Sequence, residues 1–248
     1  MKQYLKILQL SIIVCFGSCQ ENLSADEILE KSIETHGGKS WEKANFSFVF
    51  RDRQYSIDRN PGKYIYTRSF NDSIGYVKDS LVNSTEFSRH VNDSMVELSE
   101  EWMGKYSNSV NSVLYFMQLP YILRDPAVRL ELVGTAAIGE SPYHALRVTF
   151  KEESGGEDFE DEYRYWVHSD KYTVDFLAYN YQTEGGGTRF REAINRRKVG
   201  DLMIQDYINY APTEKFPPLD SLPAMWENNQ LEEVSRIINT EVRTIEKK

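Results

Sequence analysis

The clearest pattern in the chain lies between residues 143 and 210, where apolar and polar side chains alternate in short runs separated by polar and glycine-rich breaks. Residues 143–151, 159–168, 172–182, 188–199 and 202–210 each read as a strand, because alternation with period two is the mark of a half-buried strand. His144, Leu146, Val148 and Phe150 then share one face, while Tyr143, Arg147, Thr149 and Lys151 share the other. The same test groups Tyr172, Val174, Phe176 and Ala178, and likewise Phe190, Glu192, Ile194 and Arg196. The breaks are too short for crossover helices, so an antiparallel meander is expected. A meander cannot bury its apolar face on itself unless it curls, and something must then fill the hollow.

Upstream, residues 45–58, 63–70, 73–80, 85–91 and 94–99 continue the strand pattern, with turn chemistry at Asn60-Pro61-Gly62, Asn71-Asp72 and Asn92-Asp93. Two stretches leave the strand period. Ser24 and Glu27 form a capping box with Leu23 and Ile28 placed as a staple, and Gly37-Gly38 supplies a left-handed stop, which predicts an N-terminal helix of about three turns. After Glu100, Val110, Val113, Leu114 and Met117 fall at helical spacing, Tyr115 and Phe116 widen the apolar face, and Pro120 ends the element. A helix this apolar all round is expected to be buried, plugging the hollow. Residues 128–137 return to the sheet. Beyond Tyr210, four prolines mark an irregular tail, residues 222–228 suit a short helix, and residues 231–245 fit both a helix and a β-branched strand, the strand being favoured. The expected fold is mainly β with helices (α+β). It is a curved antiparallel half-barrel of about 10–11 strands, covered by the N-terminal helix and the central plug helix.

Composition agrees with this reading and narrows the partners. Sixteen tyrosines and 12 phenylalanines suit a half-buried sheet, and 248 residues fit one β domain. The formal net charge is -9. That argues against nucleic acid as a partner.

The amino terminus carries Lys2 and Lys6, then an apolar run to Phe16, then Gly17-Ser18-Cys19. Residues 1–18 read as a signal peptide too short to remain as a membrane span, and residues 19–248 as one half-barrel domain. Phe16-Gly17-Ser18-Cys19 resembles a lipobox, with Phe16 in place of the usual Leu, so Cys19 is expected to become the acylated first residue of the mature chain. Only Cys15 and Cys19 occur, so the exported domain has no internal disulfide and is held by packing alone. Gln20 is not the Asp associated with inner-membrane retention. The expected location is the outer membrane, lipid-anchored, on the periplasmic side or surface-exposed.

Residues 23–41, with the order Ala-Asp-Glu-Ile-Leu, His-Gly-Gly and Trp, precede a meander containing Tyr163-x-Tyr165-Trp166-Val167 and Val174-Asp175-Phe176-Leu177. This arrangement resembles the fold of the outer-membrane lipoprotein-sorting proteins. Residues 108–128, 155–166 and 185–192 are similar to a family of Gram-negative lipoproteins of unknown function. The resemblance to the sorting proteins implies an incomplete barrel whose concave side, under helices, holds an apolar small molecule or acyl chain. A membrane-anchored member looks more like the acceptor than the soluble carrier.

On that basis the candidate cavity lining is Phe46, Phe48, Phe50, Tyr64 and Tyr66 with Val110, Val113, Leu114 and Met117. The same residues would equally make a packed core, and the chain would then be a structural or interaction lipoprotein engaging an envelope protein. The polar candidates are Asp161, His168, Arg189 and Arg191. Alternation puts Asp161 with Tyr163, Tyr165 and Val167, where it can face the hollow. Arg189 and Arg191 share a face with Arg197 and suit an anionic head group, or else pair across strands with Glu160 and Glu162. Seven acidic residues between Glu152 and Glu162 lack the ordered spacing of a calcium loop. His36, His90, His144 and His168 stand apart from one another and from any Cys, so no metal site is expected. Gly185-Gly186-Gly187 leads into a strand without a following Gly-Lys-Ser/Thr, so it is no nucleotide loop. Ser40-Trp41-Glu42-Lys43 follows a helix stop without a matching Lys-Thr-Gly. No cofactor and no catalytic residue is expected, and an enzyme, a hydrolase for instance, is the least favoured reading.

Overall fold

The computed structural model describes residues 23–151, 161–182 and 185–246. The segment expected to be a signal peptide, Cys19 and most of the acidic run lie outside the described residues. Helix α1 (Ala25–Thr35) starts as its sequence dictates: the Ser24 hydroxyl accepts from the Glu27 amide while the Glu27 carboxylate accepts from the Ser24 amide. It ends at His36, and Gly37 then takes φ 122°, where an added Cβ would meet the Asp201 carbonyl at 2.8 Å.

Strands β1 (Asn45–Phe50), β2 (Arg53–Asn60), β3 (Lys63–Asp72), β4 (Gly75–Val82), β5 (Glu86–Val91) and β6 (Ser94–Met95) form a meander. The single strand expected over residues 45–58 is two strands. Arg51 and Asp52 both take left-handed conformations (φ 48° and 59°) and close a two-residue hairpin that the sequence hides, since neither residue is Gly or Asn. Helix α2 (Glu100–Met117) follows, capped by Ser99. After it come β7 (Val128–Ile138), β8 (Ser141–Phe150), β9 (Tyr163–His168), β10 (Val174–Tyr181), β11 (Gly187–Val199) and β12 (Leu202–Pro212). A short helix α3 (Leu222–Glu227) leads to β13 (Leu231–Ile237) and β14 (Thr240–Thr244).

The antiparallel strands are divided between two sheets of seven, in the orders β14-β1-β2-β3-β4-β5-β6 and β13-β12-β11-β10-β9-β8-β7. The described residues thus hold more strands than the 10–11 expected, because the hairpin at Arg51-Asp52 splits one run and the last strand is broken in two. That break joins the sheets. The segment from Leu231 to Thr244 pairs first with β12 and then, past Ile238-Asn239, with β1.

Each sheet has its own helix on the concave side. Ile28, Leu29 and Ile33 of α1 pack with Leu146, Val148, Tyr165, Val167, Leu177 and Tyr207 of the second sheet. Val110, Leu114 and Met117 of α2 pack with Phe46, Phe48, Tyr66 and Leu81 of the first. Helix α2 is not the wholly buried helix expected from sequence, because Glu100, Glu101, Trp102, Met103 and Lys105 are exposed and only the stripe of Val110, Leu114 and Met117 is buried. The convex face of the second sheet is covered as well, by Leu219, Leu222 and Trp226 of the C-terminal segment over Trp166, Phe176 and Phe190. Both faces are therefore dry, which explains why every residue of β9 is buried. A bulge between Val174 and Phe176 sends these two side chains to opposite faces, against the grouping expected from simple alternation.

Buried charge under α2 is matched. Asp79 is fully buried opposite Arg68 and Arg89 on the neighbouring strands, accepting from Arg68 Nε at 2.9 Å and Arg89 Nε at 2.7 Å. Ser109 of α2 accepts from Arg68, and the Tyr106 ring lies 3.4 Å from the Arg89 guanidinium.

His36 ties α1 to the second sheet. Its ring is wholly buried with Nδ1 2.8 Å from the Ser32 carbonyl, so the ring proton sits on Nδ1, and its own carbonyl accepts from Trp41 Nε1 and the Met203 amide. Burial lowers its pKa to about 4. The unfolded chain takes up this proton below about pH 6.5 while the folded one refuses it until about pH 4, so stability is whole above pH 6.5 and falls as the pH drops through that window. We predict a loss on the order of 3 kcal/mol from this residue between pH 6.5 and 4, with His36→Gln flattening the profile in urea titrations. An identical slope in both proteins would remove His36 as the cause.

Candidate functional site

The two sheets share the chain from Leu231 to Thr244 but do not pair directly along β1 and β12. Val49 of β1 is the last residue opposite β14, at Thr240, and the preceding strand β13 has by then left for the second sheet. The wedge between them is a cavity of about 270 Å³. Phe50 and Arg51 at the end of β1 form one side, and Ser112, Val113, Phe116 and Met117 of α2 form the roof. The second sheet supplies Tyr179, Arg191, Tyr207 and Asn209, with Ser235, Ile237 and Asn239 from the crossing segment. Arg51 and Ser112 are exposed and mark the mouth. The volume is close to the lower end for small-ligand pockets, and the walls combine aromatic and aliphatic groups with a few polar ones, as such pockets do.

The crossing is fixed by one carboxylate. Asp206, nearly fully buried, accepts from the Asn239 backbone amide at 2.9 Å and from the Asn239 side chain at 3.1 Å. Asn195 and Arg197 also donate to it, and Arg197 donates to the Asn239 carbonyl at 2.6 Å. A bulge at Ile194–Arg197, with Asn195 at φ 50°, turns Arg197 toward this carboxylate. Arg197 therefore does not join Arg191 at the cavity as strand alternation implied.

Inside the cavity Arg191 is the principal charged group. Its guanidinium lies 3.8 Å from the centre of the Phe116 ring, and Nη2 donates to the Tyr179 hydroxyl at 2.7 Å. Arg191 stands opposite Asn209 in the β11–β12 register, and Asn209 opposite Ser235 in the next pair, so the three form a row across the sheet. Asn209 Nδ2 donates to the Ser235 hydroxyl at 3.2 Å. Nearby, Gln205 donates to the Tyr207 hydroxyl at 2.7 Å, and burial raises the Tyr207 pKa.

Of the residues singled out from sequence, Phe50, Val113, Met117 and Arg191 line this cavity. Phe46, Phe48, Tyr66, Val110 and Leu114 are packed in the core of the first sheet, with Phe46, Phe48 and Tyr55 stacked in series. Tyr66 is fixed there by Gln118, whose Nε2 donates to its hydroxyl at 2.7 Å, and burial raises its pKa to about 12. Tyr64 lies at the edge of that core against Tyr66. Arg189 points away and donates to the Thr188 carbonyl beside the Tyr181 ring. His168 closes the β9–β10 turn, its Nδ1 accepting from the Asp170 and Lys171 amides. Asp161 is buried just before β9. Glu162 pairs with Arg147 and Arg164, which correct the partners expected for it, because β10 stands between β9 and β11. Among the described residues no group of His, Cys, Asp and Glu is placed to hold a metal ion. Tyr179, Tyr207, Asn209 and Ile237 were not picked out from sequence, although alternation along residues 202–210 already sets Gln205, Tyr207 and Asn209 on one face.

Residues 5–239 match DUF6503, a family of unknown function, and the chain belongs to that family. A comparison with curated proteins finds no match. Among solved structures, a LolA superfamily protein from Nitrosomonas europaea aligns with a TM-score of 0.52 at 12% identity, covering 91% of this chain and 96% of that one. A DUF1329 family protein from Desulfovibrio piger aligns with a TM-score of 0.48 at 9% identity, covering 89% and 92%. The first likeness places the fold among LolA-like curved sheets covered by helices.

The seam makes a direct prediction. Asp206→Ala leaves the Asn239 amide and Arg197 without their acceptor and should cost about 2–4 kcal/mol in urea unfolding, less than a fully buried pair because Arg197 is 33% exposed. Amide exchange along β14 should rise first. A variant as stable as the wild type would show that the crossing is held elsewhere.

Proposed function

We propose that this chain is a lipid-anchored cell-envelope protein that binds an apolar ligand or acyl chain in the wedge between its two sheets. The observation that carries the reading is the cavity under α2, where Phe50, Val113, Phe116, Met117 and Ile237 offer an apolar wall in a region where neighbouring core positions are filled. Close packing is the rule in protein interiors, so a space of about 270 Å³ kept open at the junction of two sheets calls for an occupant. The LolA-like fold supports the same reading, since it curves a sheet around a hollow and leaves helices to cover it.

We read the molecule as a binding protein rather than an enzyme. The polar candidates are dispersed: His168 serves a turn, Arg189 bonds to backbone, and Arg191 alone reaches the cavity. Anchoring through Cys19 would hold the hollow close to a membrane, where acyl chains are at hand. Multiple acylation gives firm attachment, each buried CH₂ contributing about 0.8 kcal/mol. The packing of Phe46, Phe48, Tyr66, Val110 and Leu114 favours a second, narrower reading in which most of the interior is filled and the protein engages an envelope partner by its surface.

Val113→Trp puts an indole into the cavity roof. Saturable binding of the uncharged probe N-phenyl-1-naphthylamine by the wild type, weakened about 10-fold or more in the variant, is the expected result, on the scale of about 1.4 kcal/mol per tenfold. Equal binding by both, or none by either, favours the filled-core reading. Cys19→Ser should abolish both membrane partition and the acyl mass of the mature protein, and unchanged mass would refute the anchor.

A further inference from the structure

We propose that Arg191 is the head-group site of this cavity and that the ligand is a monoanionic amphiphile, a carboxylate on an apolar chain. The inference rests on the reading of the cavity as an apolar-ligand site and names the class of ligand.

The first ground is charge. The whole chain carries -9, yet the cavity lining holds two arginines and neither Asp nor Glu. Arg51 stands at the exposed mouth, while Arg191 is only 8% exposed at the inner wall. Elsewhere in the fold a buried arginine meets a carboxylate, as Arg68 and Arg89 meet Asp79. A cation held away from water without an opposite charge is costly, so a space beside it that admits an anion has a ligand preference built in.

The second ground is unmet hydrogen bonding at the same place. Among the described residues Arg191 Nε and Asn209 Oδ1 are both buried without a partner, and the two residues are cross-strand neighbours on one face. Tyr179, which accepts from Arg191 Nη2, keeps its own hydroxyl proton to donate. Rotating the Asn209 amide by half a turn would aim Nδ2 at the cavity while Oδ1 accepts from the Ser235 hydroxyl, an exchange of near-isosteric groups. Arg191 Nε and the Asn209 amide are closed off while the cavity is empty, so an entering carboxylate reaches them by a side-chain shift and then finds three donors, with the Tyr179 hydroxyl, for its two oxygens. Phe116 covers one face of the guanidinium, and the apolar residues of α2 and β13 lead away from it along the route an alkyl chain would take.

The size of the charge separates a carboxylate from a phosphate monoester. One buried guanidinium neutralises one negative charge, so a phosphate monoester, with nearly two at neutral pH, would leave an excess buried in the wedge. A carboxylate leaves none.

The test is displacement of N-phenyl-1-naphthylamine at pH 7.5 by decanoate, decan-1-ol and decyl phosphate, each below its micellar or solubility limit. Decanoate is expected to displace the probe at about 10-fold lower concentration than decan-1-ol, as a charge-assisted hydrogen bond implies, with decyl phosphate weaker than decanoate. In Arg191→Met the gap between acid and alcohol should close to within about 2-fold. Tyr179→Phe, which removes a single donor, should narrow the gap by about 3-fold and serves if the first variant does not fold. A gap that survives in Arg191→Met overturns the proposal, as does decyl phosphate outcompeting decanoate. Equal displacement by acid and alcohol in the wild type overturns the head-group assignment alone, whereas failure of all three ligands overturns the apolar-ligand reading with it.

Discussion

The fold depends on one strand serving two sheets. The run from Leu231 to Thr244 completes the ladder of β12 and then that of β1, and between them it must change direction at Ile238-Asn239. A backbone that leaves one ladder for another exposes amides and carbonyls that need partners in a dry place. Asp206 meets that need by accepting from Asn239 twice, while Arg197 covers the Asn239 carbonyl. Because the crossing is pinned there, β1 and β12 diverge instead of closing, and the wedge that results is the cavity. The same constraint that unites the sheets keeps them from forming a closed barrel.

Two helices then divide the hollow. Helix α1 fills the concave side of the second sheet with aliphatic side chains, and α2 fills that of the first, over the ion pairs of Asp79. Each is anchored by a polar contact: the His36 carbonyl, accepting from the Met203 amide, for α1, and Ser109 on Arg68 for α2. The space that remains is where the C-terminal half of α2 faces neither core. The cavity is therefore a small part of an otherwise well-packed interior, and the long apolar face of the first sheet belongs to the core.

Much of this was legible in the sequence. The capping box at Ser24 and Glu27, the alternation of β8 and the helical spacing from Val110 to Met117 are local signals, and local geometry obeyed them. What escaped was set by distant residues or by turns without the usual residues. Arg51 and Asp52 adopt left-handed conformations because strand pairing on both sides demands a tight turn, against their own preference. Bulges near Asp175 and Asn195 move side chains to the other face, so Val174 parts from Phe176 and Arg197 from Arg191. The Asp206–Asn239 contact joins residues 33 apart and leaves no mark on periodicity. Arg191 was identifiable as one of the cations on the strand after Gly185-Gly186-Gly187, but Asn209 and Tyr179 become its neighbours only through the register.

We propose that the wedge, and not the exposed apolar residues around Ile74, Met95 and Trp102, receives the ligand. Methyl-resolved NMR of the folded mature domain during titration with decanoate tests it most directly. Saturable shifts concentrated at Val113, Met117 and Ile237 are expected, with Ile28, Leu146 and Val148 in the packed core unmoved. Shifts centred on Ile74 and Met95, or none at the three wedge residues at saturating ligand, would contradict it.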